Sequence, residues 1–545
     1  MRNKVLLDFT VMCVMTLNFF LVGCVKDNFD LEKLEETTLS PEIAVPLVYS
    51  SLKLSDILAN NPNSTVVVDS NHFCTLIYKG ELFSQTAENL YAIPDQNTFQ
   101  TIALTQNQIT TLYNAGTVSF TVSQVIDVAL SNNLRADSAT FKEGMLNLVV
   151  NSDFLQNGSI TVSIPSIRKN GIVLSQTVPF SYNNGNPFNV TSPGNPSATF
   201  DLNGCAADFT NGGTSFNKLR VNYTVSFTSG GSVPTTANRL YIAPLMNDLK
   251  FKNLFGYFGQ NQLAPDLDTV EISVFKNVYG LGAFNIVNPE IKFTINNSFG
   301  LPVRASITRF DGYTPAQGYY ALAQTGIPSP LPLNSPSVNQ VGQSMQTSFA
   351  LTNANSNVFG IINNKPQQLV YKVDALSNPT GVPTTNFVID TSKISLDMEV
   401  NLPMYGTAKD FSVQDTFDFK FANADKIETC MMRTTITNGF PIDVEMQVFF
   451  TDENYNVLDS LLLPNELVLA AANVNLTTGT VNSAQTKTTD INLDATKIAH
   501  MGAAKKILVR ATATTLNGGN TNIKIYDFYK LDVKLGAIAK MRLNL

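Results

Sequence analysis

The chain of 545 residues is longer than one ordinary hydrophobic core can use, so several domains are expected. Charged residues make up only 14% and the net charge is −7 with no basic block, which excludes the electrostatic footprint of a nucleic-acid binder. Asn, Thr, Ser and Gly fill the polar positions instead, and this predicts an uncharged, polar, extracellular type of surface.

Arg2 and Lys4 open the chain, and an apolar stretch follows to Val22, the layout of a secretory signal peptide. Only Phe9 to Val22 is clearly apolar, short of the roughly 20 residues needed to span a bilayer. The stretch closes on Leu21-Val22-Gly23-Cys24, and Val25-Lys26-Asp27 follows, with Asp30, Glu32, Glu35 and Glu36 further on. Leu21 to Cys24 resembles a bacterial lipobox, and Lys26-Asp27 is similar to the surface-export signal of Bacteroidota lipoproteins. The resemblance implies a lipoprotein signal peptide at 1–23, acylation of Cys24, and a flexible acidic tether over 24–44. It also implies an outer-membrane location, on the cell surface. Burial of each acyl methylene contributes about 0.8 kcal/mol, so a multiply acylated terminus stays in its membrane.

From there on, short runs rich in Val, Ile, Phe and Thr alternate with Asn/Gly/Ser/Pro clusters, the pattern of an all-β chain. The order of features returns about every 140 residues, a spacing at which the repeats are whole domains rather than solenoid turns. An acidic strand leads to an Asn-bearing corner and another strand three times: MLNLVVNSDFLQNGSITVSI, IKFTINNSFGLPVRASI and TTITNGFPIDVEMQVFF. A hairpin turn is predicted next in each pass, at Lys169-Asn170-Gly171, Asp311-Gly312 and Glu453-Asn454-Tyr455-Asn456. A short, helix-like polar segment then leads into a strand, at FDLNGCAADF, FALTNANSNVFGII and INLDATKIAHMG. Val233-Pro234-Thr235-Thr236 recurs as Val382-Pro383-Thr384-Thr385, which supports the alignment.

Period-two alternation, such as Val444, Met446 and Val448 against Asp443, Glu445 and Gln447, gives each strand one buried face. Two such sheets must cover each other, so the predicted fold is a tandem array of immunoglobulin/fibronectin-III-like β-sandwich domains in about three repeats. The limits read from the pattern are a partial unit or cap over 45–118 and sandwich repeats over 119–245, 246–390 and 391–545, with a boundary strand free to be lent between neighbours. EIAVPLVY near Glu42 echoes MEVNLPMYG at Met398 to Gly406. The Asn-x-x-Pro corner resembles the sandwich domain of late-embryogenesis-abundant group-two proteins, which implies fold alone.

Chemistry is thinly supplied. His72 and His500 are the only histidines, too few and too far apart for a histidine-based triad or a multi-histidine zinc site. His72 and Cys74 could share a strand face, but a partly buried strand pair is the simpler reading. Cys74, Cys205 and Cys430 are the thiols outside the leader and anchor, and they read as small buried hydrophobes or lone thiols. Asp452-Glu453-Asn454-Tyr455-Asn456 opens like a calcium loop, yet Val457 replaces the required glycine and Leu463 the bidentate glutamate, so a turn is expected. Asp266, Asp268 and Glu271, and Asp415 with Asp418, are grouped acids, but the Asp-Thr pair recurs between units and so reads as architecture. No catalytic residue, metal site or cofactor is predicted, and the chain is not expected to be an enzyme.

The chain has no Trp, and most Phe fall at core-type positions. The aromatic cluster outside that pattern is RFDGYTPAQGYY, which places Phe310, Tyr313, Tyr319 and Tyr320 around a hairpin followed by IPSPLPLNSPS. These four residues are the candidate binding site. The reading is a surface lipoprotein serving as a non-catalytic interaction or scaffold module, with a protein partner in the envelope, as an accessory subunit of an outer-membrane assembly. The alternative is a glycan-binding lipoprotein, similar to the accessory binders of starch-utilisation systems.

Overall fold

The computed structural model describes residues 38–58, 64–130, 134–189, 196–280, 282–421, 424–464, 466–475 and 480–544. Strands dominate them, joined in antiparallel ladders, and the longest α-helix, Gln106–Ala115, has 10 residues. Among the described residues no helix is long and apolar enough to cross a membrane. The chain is all-β and built of two-layer sandwich units.

Strand order reveals how the units are strung. In the C-terminal unit, Glu42–Lys53, Lys530–Met541, Ile427–Asn438 and Gln485–Leu493 form one sheet in that order. Phe411–Asp418, Lys506–Thr515 and Ile442–Thr451 form the core of the other. In the middle unit, Met345–Leu351, Glu290–Asn297, Lys393–Pro403, Cys74–Thr86 and Ser64–Val68 form one sheet. Asp268–Glu271, Gln368–Ser377 and Val303–Thr314 lie in the facing one. In the N-terminal unit a single sheet runs from Leu240–Tyr257 through Arg135–Ser152, Ala206–Asp208, Asn157–Lys169 and Lys218–Thr228 to Thr117–Asp127. The short Ala206–Asp208 strand bridges its two halves.

The units are therefore nested. The chain leaves a strand in the C-terminal unit and another in the middle unit, completes the N-terminal unit, and returns through the middle to the C-terminal one. Residues grouped in sequence as a partial unit or cap, 45–118, supply strands to both later units. Neighbouring units are stitched by further pairing. Asn386–Ile389 of the middle unit pairs with Leu240–Tyr257 of the N-terminal unit. Tyr405–Lys409, on the way to the C-terminal unit, pairs with Ala283–Ile286 and with Ile523–Lys524.

The recurring corner has a physical cause that is legible in each unit. Asn438 Oδ1 accepts the Phe440 N–H at 2.8 Å, Asn297 Oδ1 accepts the Phe299 N–H at 3.0 Å, and Ser152 Oγ accepts the Phe154 N–H at 3.0 Å. A side-chain oxygen that takes an N–H two residues on turns the backbone out of the strand. The Phe two residues along is then buried between the sheets in all three units.

Two local expectations are corrected. Asp311-Gly312 is not a turn: both lie inside the strand Val303–Thr314, which pairs with Gly318–Ala321, and the chain reverses between Thr314 and Gly318, where Gly318 has φ 75°. Asp311 is held in the strand by an ion pair to Arg309, and a Cβ on Gly312 would press on Ile361, so the Asp-Gly pair serves packing here. FDLNGCAADF forms no helix; the Asp201 carboxylate caps the Asn203 N–H, Gly204 takes φ 76°, and a three-residue strand follows. The corresponding segments later in the chain do become helical, at Val358–Asn363 and Ala495–Ala503, the latter capped by Asp494 on the Lys497 N–H. The Asn170-Gly171 pair makes the predicted left-handed turn, with φ 52° and 81°.

Candidate functional site

The hairpin made by Val303–Thr314 and Gly318–Ala321 separates the four candidate aromatic residues. Phe310 points inward, 3% exposed, and meets Phe293 of the facing sheet edge-to-face at 5.8 Å between ring centres. It belongs to the core that clamps the two layers. Tyr313 and Tyr319, directly opposed across the hairpin, pack ring to ring at 4.9 Å. The Arg309 guanidinium lies over the Tyr319 ring at 4.7 Å, a cation–π contact. Tyr319 is 58% exposed. Tyr320, one residue on, faces the other way, 42% exposed, with its hydroxyl beside Gly360. The structure thus unites Tyr313, Tyr319 and Arg309 in one surface patch and leaves Phe310 and Tyr320 outside it.

Arg309 is anchored from below. Its Nε donates to Asp311 Oδ2 at 2.6 Å, and Asp311 is 7% exposed. That hydrogen bond raises the guanidinium above its ordinary pKa and anchors the cation over the Tyr319 ring. Behind it a cavity of about 530 Å³ opens between the sheets, walled by Phe293, Ile295 and Phe349, with Arg309, Gln324 and Ser329 as polar groups. The Pro/Ser-rich segment closes it: Leu331–Leu333 pairs back onto Val303–Ala305.

Elsewhere several titratable residues are engaged in structure. His72 sits at a turn with φ 64°, its Nδ1 3.2 Å from Asp527, while Cys74, two residues on, is buried. Burial, with Asp527 and Asp69 nearby, pushes the Cys74 thiol above its usual range. His500 Nδ1 is 2.8 Å from Asp459. Among the described residues no group of three or more His, Cys, Asp or Glu side chains is placed to hold a metal ion. Asp452 spends its carboxylate on its own turn, accepting the N–H groups of Asn454 and Asn456 and the Asn456 side-chain amide. Asp268 lies 3.0 Å from the Tyr371 hydroxyl, which also lies 3.0 Å from the Leu82 carbonyl of the facing sheet. Cys24, the predicted lipidation site, lies outside the described residues.

One aromatic group escaped the sequence reading. Tyr526 and Phe528 stack at 5.5 Å and Tyr529 meets both edge-to-face at 5.6 and 5.1 Å, with His72, Phe73 and Phe440 around them. Phe528 is exposed. The signal was the run Tyr526-Asp527-Phe528-Tyr529, three rings in four residues, which strand alternation does not explain.

No protein-family model matches the chain, and no curated protein matches it. Among solved structures it is similar to a candidate secreted protein of Parabacteroides distasonis, at 13% identity and a TM-score of 0.24 over 52% of this chain and 88% of that one. It is also similar to an infectious bursal disease virus structure, at 8% identity and a TM-score of 0.14 over 84% and 82%. Likeness this slight carries no assignment of family or function.

Proposed function

We propose that this chain is an acyl-anchored lipoprotein of the outer membrane, exposed at the cell surface, which acts as a non-catalytic scaffold for a protein partner in the envelope. The observation that carries the reading is the nesting. The first long strand, Glu42–Lys53, lies beside the last, Lys530–Met541, so a tether running from Cys24 enters at the C-terminal unit. The other two units are inserted between strands of that unit, and the N-terminal one is joined to it through the middle one. An anchor at one end and inserted units beyond it would present loops and sheet edges away from the membrane, where sandwiches recruit partners.

Two experiments test this. Labelled palmitate should be incorporated into the native chain and lost in Cys24→Ala; labelling that persists removes the anchor. A pull-down from detergent-solubilised outer membranes should then recover a stoichiometric partner, and its absence counts against the scaffold role.

The Tyr313–Tyr319 pair on Arg309 supports a second reading, glycan binding, because an exposed phenol ring held rigid from behind is a stacking platform. Affinity electrophoresis on a polysaccharide panel decides it: retardation abolished by Tyr319→Ala favours the glycan, and unretarded migration on every gel favours the scaffold.

A further inference from the structure

We infer that the slot between the two sheets of the C-terminal unit is a binding site for one long acyl chain. The inference goes beyond the scaffold role and does not depend on Cys24. A cavity of about 390 Å³ lies there, its walls including Met432, Ile436, Met446, Val468, Ile491 and Val533. These side chains point between two covering sheets, yet Met432, Met446, Ile491 and Val533 are only half buried. Their counterparts in the N-terminal unit, such as Val150, Ile160, Val162 and Val225, are all but inaccessible. Apolar walls facing a void forfeit the contacts that stabilise a sandwich interior, so the slot is built for an occupant.

The chemistry of the walls selects that occupant. They are aliphatic and thioether throughout, with no aromatic ring among the lining residues to stack on a sugar or a flat ring system. A peptide or glycan would bring polar groups that need partners, and the lining offers only Thr434, Thr489 and Lys487. The volume lies within the roughly 300–1,000 Å³ range of small-ligand sites, and an apolar cavity of about 150 Å³ already holds benzene. Methionine walls adapt to a flexible chain. Lys487 supplies the one charged group of the lining: its ammonium lies 3.2 Å from Glu466 and close to the Leu467 carbonyl, where an anionic head group can share it. A linear acyl chain with a carboxylate or phosphate head satisfies all of these features.

Met431 and Met432 provide the test, because adjacent strand residues face opposite sides: Met432 lines the slot and Met431 lies on the outer face of the same sheet. The full chain, labelled with ¹³C at its methionine methyls, is titrated with stearate spin-labelled near its methyl end, and separately with vesicles carrying the same label on a phospholipid acyl chain. The expected result is strongest loss of the Met432 and Met446 signals, weaker loss at Met431 across the sheet, and retention of the distant Met246 and Met398 signals. Loss in the first arm alone identifies a free fatty acid; loss in the vesicle arm identifies a lipid-borne chain. Val533→Phe, which fills the slot, should abolish the effect; should that variant not fold, the comparison of Met446, on the opposite wall of the slot, with Met431, on the outer face, decides in the native chain. Survival of the Met432 and Met446 signals in both arms, or loss at Met431 that exceeds loss at Met446, overturns the inference.

Discussion

The N-terminal and C-terminal units carry the same corner and the same succession of strands, and they fill their interiors in opposite ways. In the first, Phe154, Phe180 and Phe227 interlock at 4.6 and 5.4 Å, and Ile160, Val221, Tyr223 and Val225 are sealed around them. In the second, Thr434, Lys487 and Thr489 take inward places, the layers leave a cavity, and carboxylate–cation pairs decorate the outside. Topology in this chain is set by corners and strand order, while the density of each core is set separately by which residues fill the inward positions.

The largest expected effect comes from the rings that seal the N-terminal unit. Phe227→Ala should destabilise that unit by about 3–5 kcal/mol, whereas Val533→Ala in the open slot should cost only about 1 kcal/mol. Hydrogen–deuterium exchange of peptides from each unit measures both, and equal losses would erase the contrast drawn between the cores.

The corners give the next effect. Asn438 is buried, and besides capping Phe440 it donates to the Ala470 and Ile442 carbonyls at 2.8 and 3.1 Å. Removing it in Asn438→Ala leaves several buried groups unmet and should cost about 1–3 kcal/mol. Ser152→Ala removes a single bond at the matching corner and should cost about 1 kcal/mol. Chemical denaturation followed by unit-specific exchange would sharpen the comparison; a Ser152 variant weaker than the Asn438 variant would break it.

Acid should also separate the units. The Glu428 carboxyl is held below its usual range by hydrogen bonds from Lys540 and Arg542, Asp490 by a bidentate bond from Arg433, and Asp532 by Ser51 and Lys530. All three lie in one sheet of the C-terminal unit, whereas among the described residues of the N-terminal unit Asp201 alone is so lowered. A lowered folded pKa contributes stability that is present above the unfolded value and lost as pH falls through the folded one. Below about pH 4, the ordinary carboxylate range, the C-terminal unit should therefore lose exchange protection first. These groups are solvent-exposed, so the effect is the smallest of the three and should shrink further in high salt.

Much of this was legible in the sequence, for identifiable reasons. The Asn corners, the Asn170-Gly171 turn and the alternation of strands are local signals, each set by residues a few positions apart. Asp311-Gly312 misled because here Asp311 is buried in an ion pair to Arg309 and Gly312 packs close to Ile361, a tertiary fact that no local pattern carries. Nesting was faintly legible: EIAVPLVY echoes MEVNLPMYG because Glu42–Lys53 and Lys393–Pro403 both pair along their length with a strand hundreds of residues away. Pattern identifies a strand, but it does not name its partner. At the candidate site, the sequence located the hairpin but not the division of its rings between core and surface, which depends on the register of Tyr313 against Tyr319.

The nested order is the claim on which the rest stands, and one cross-link tests it most directly. Ser51 and Asp532 are register partners in the sheet of the C-terminal unit. Cysteines placed at both should join under mild oxidation, and proteolysis between the units should leave the two ends linked until reductant is added. Ends that separate without reductant would contradict the account.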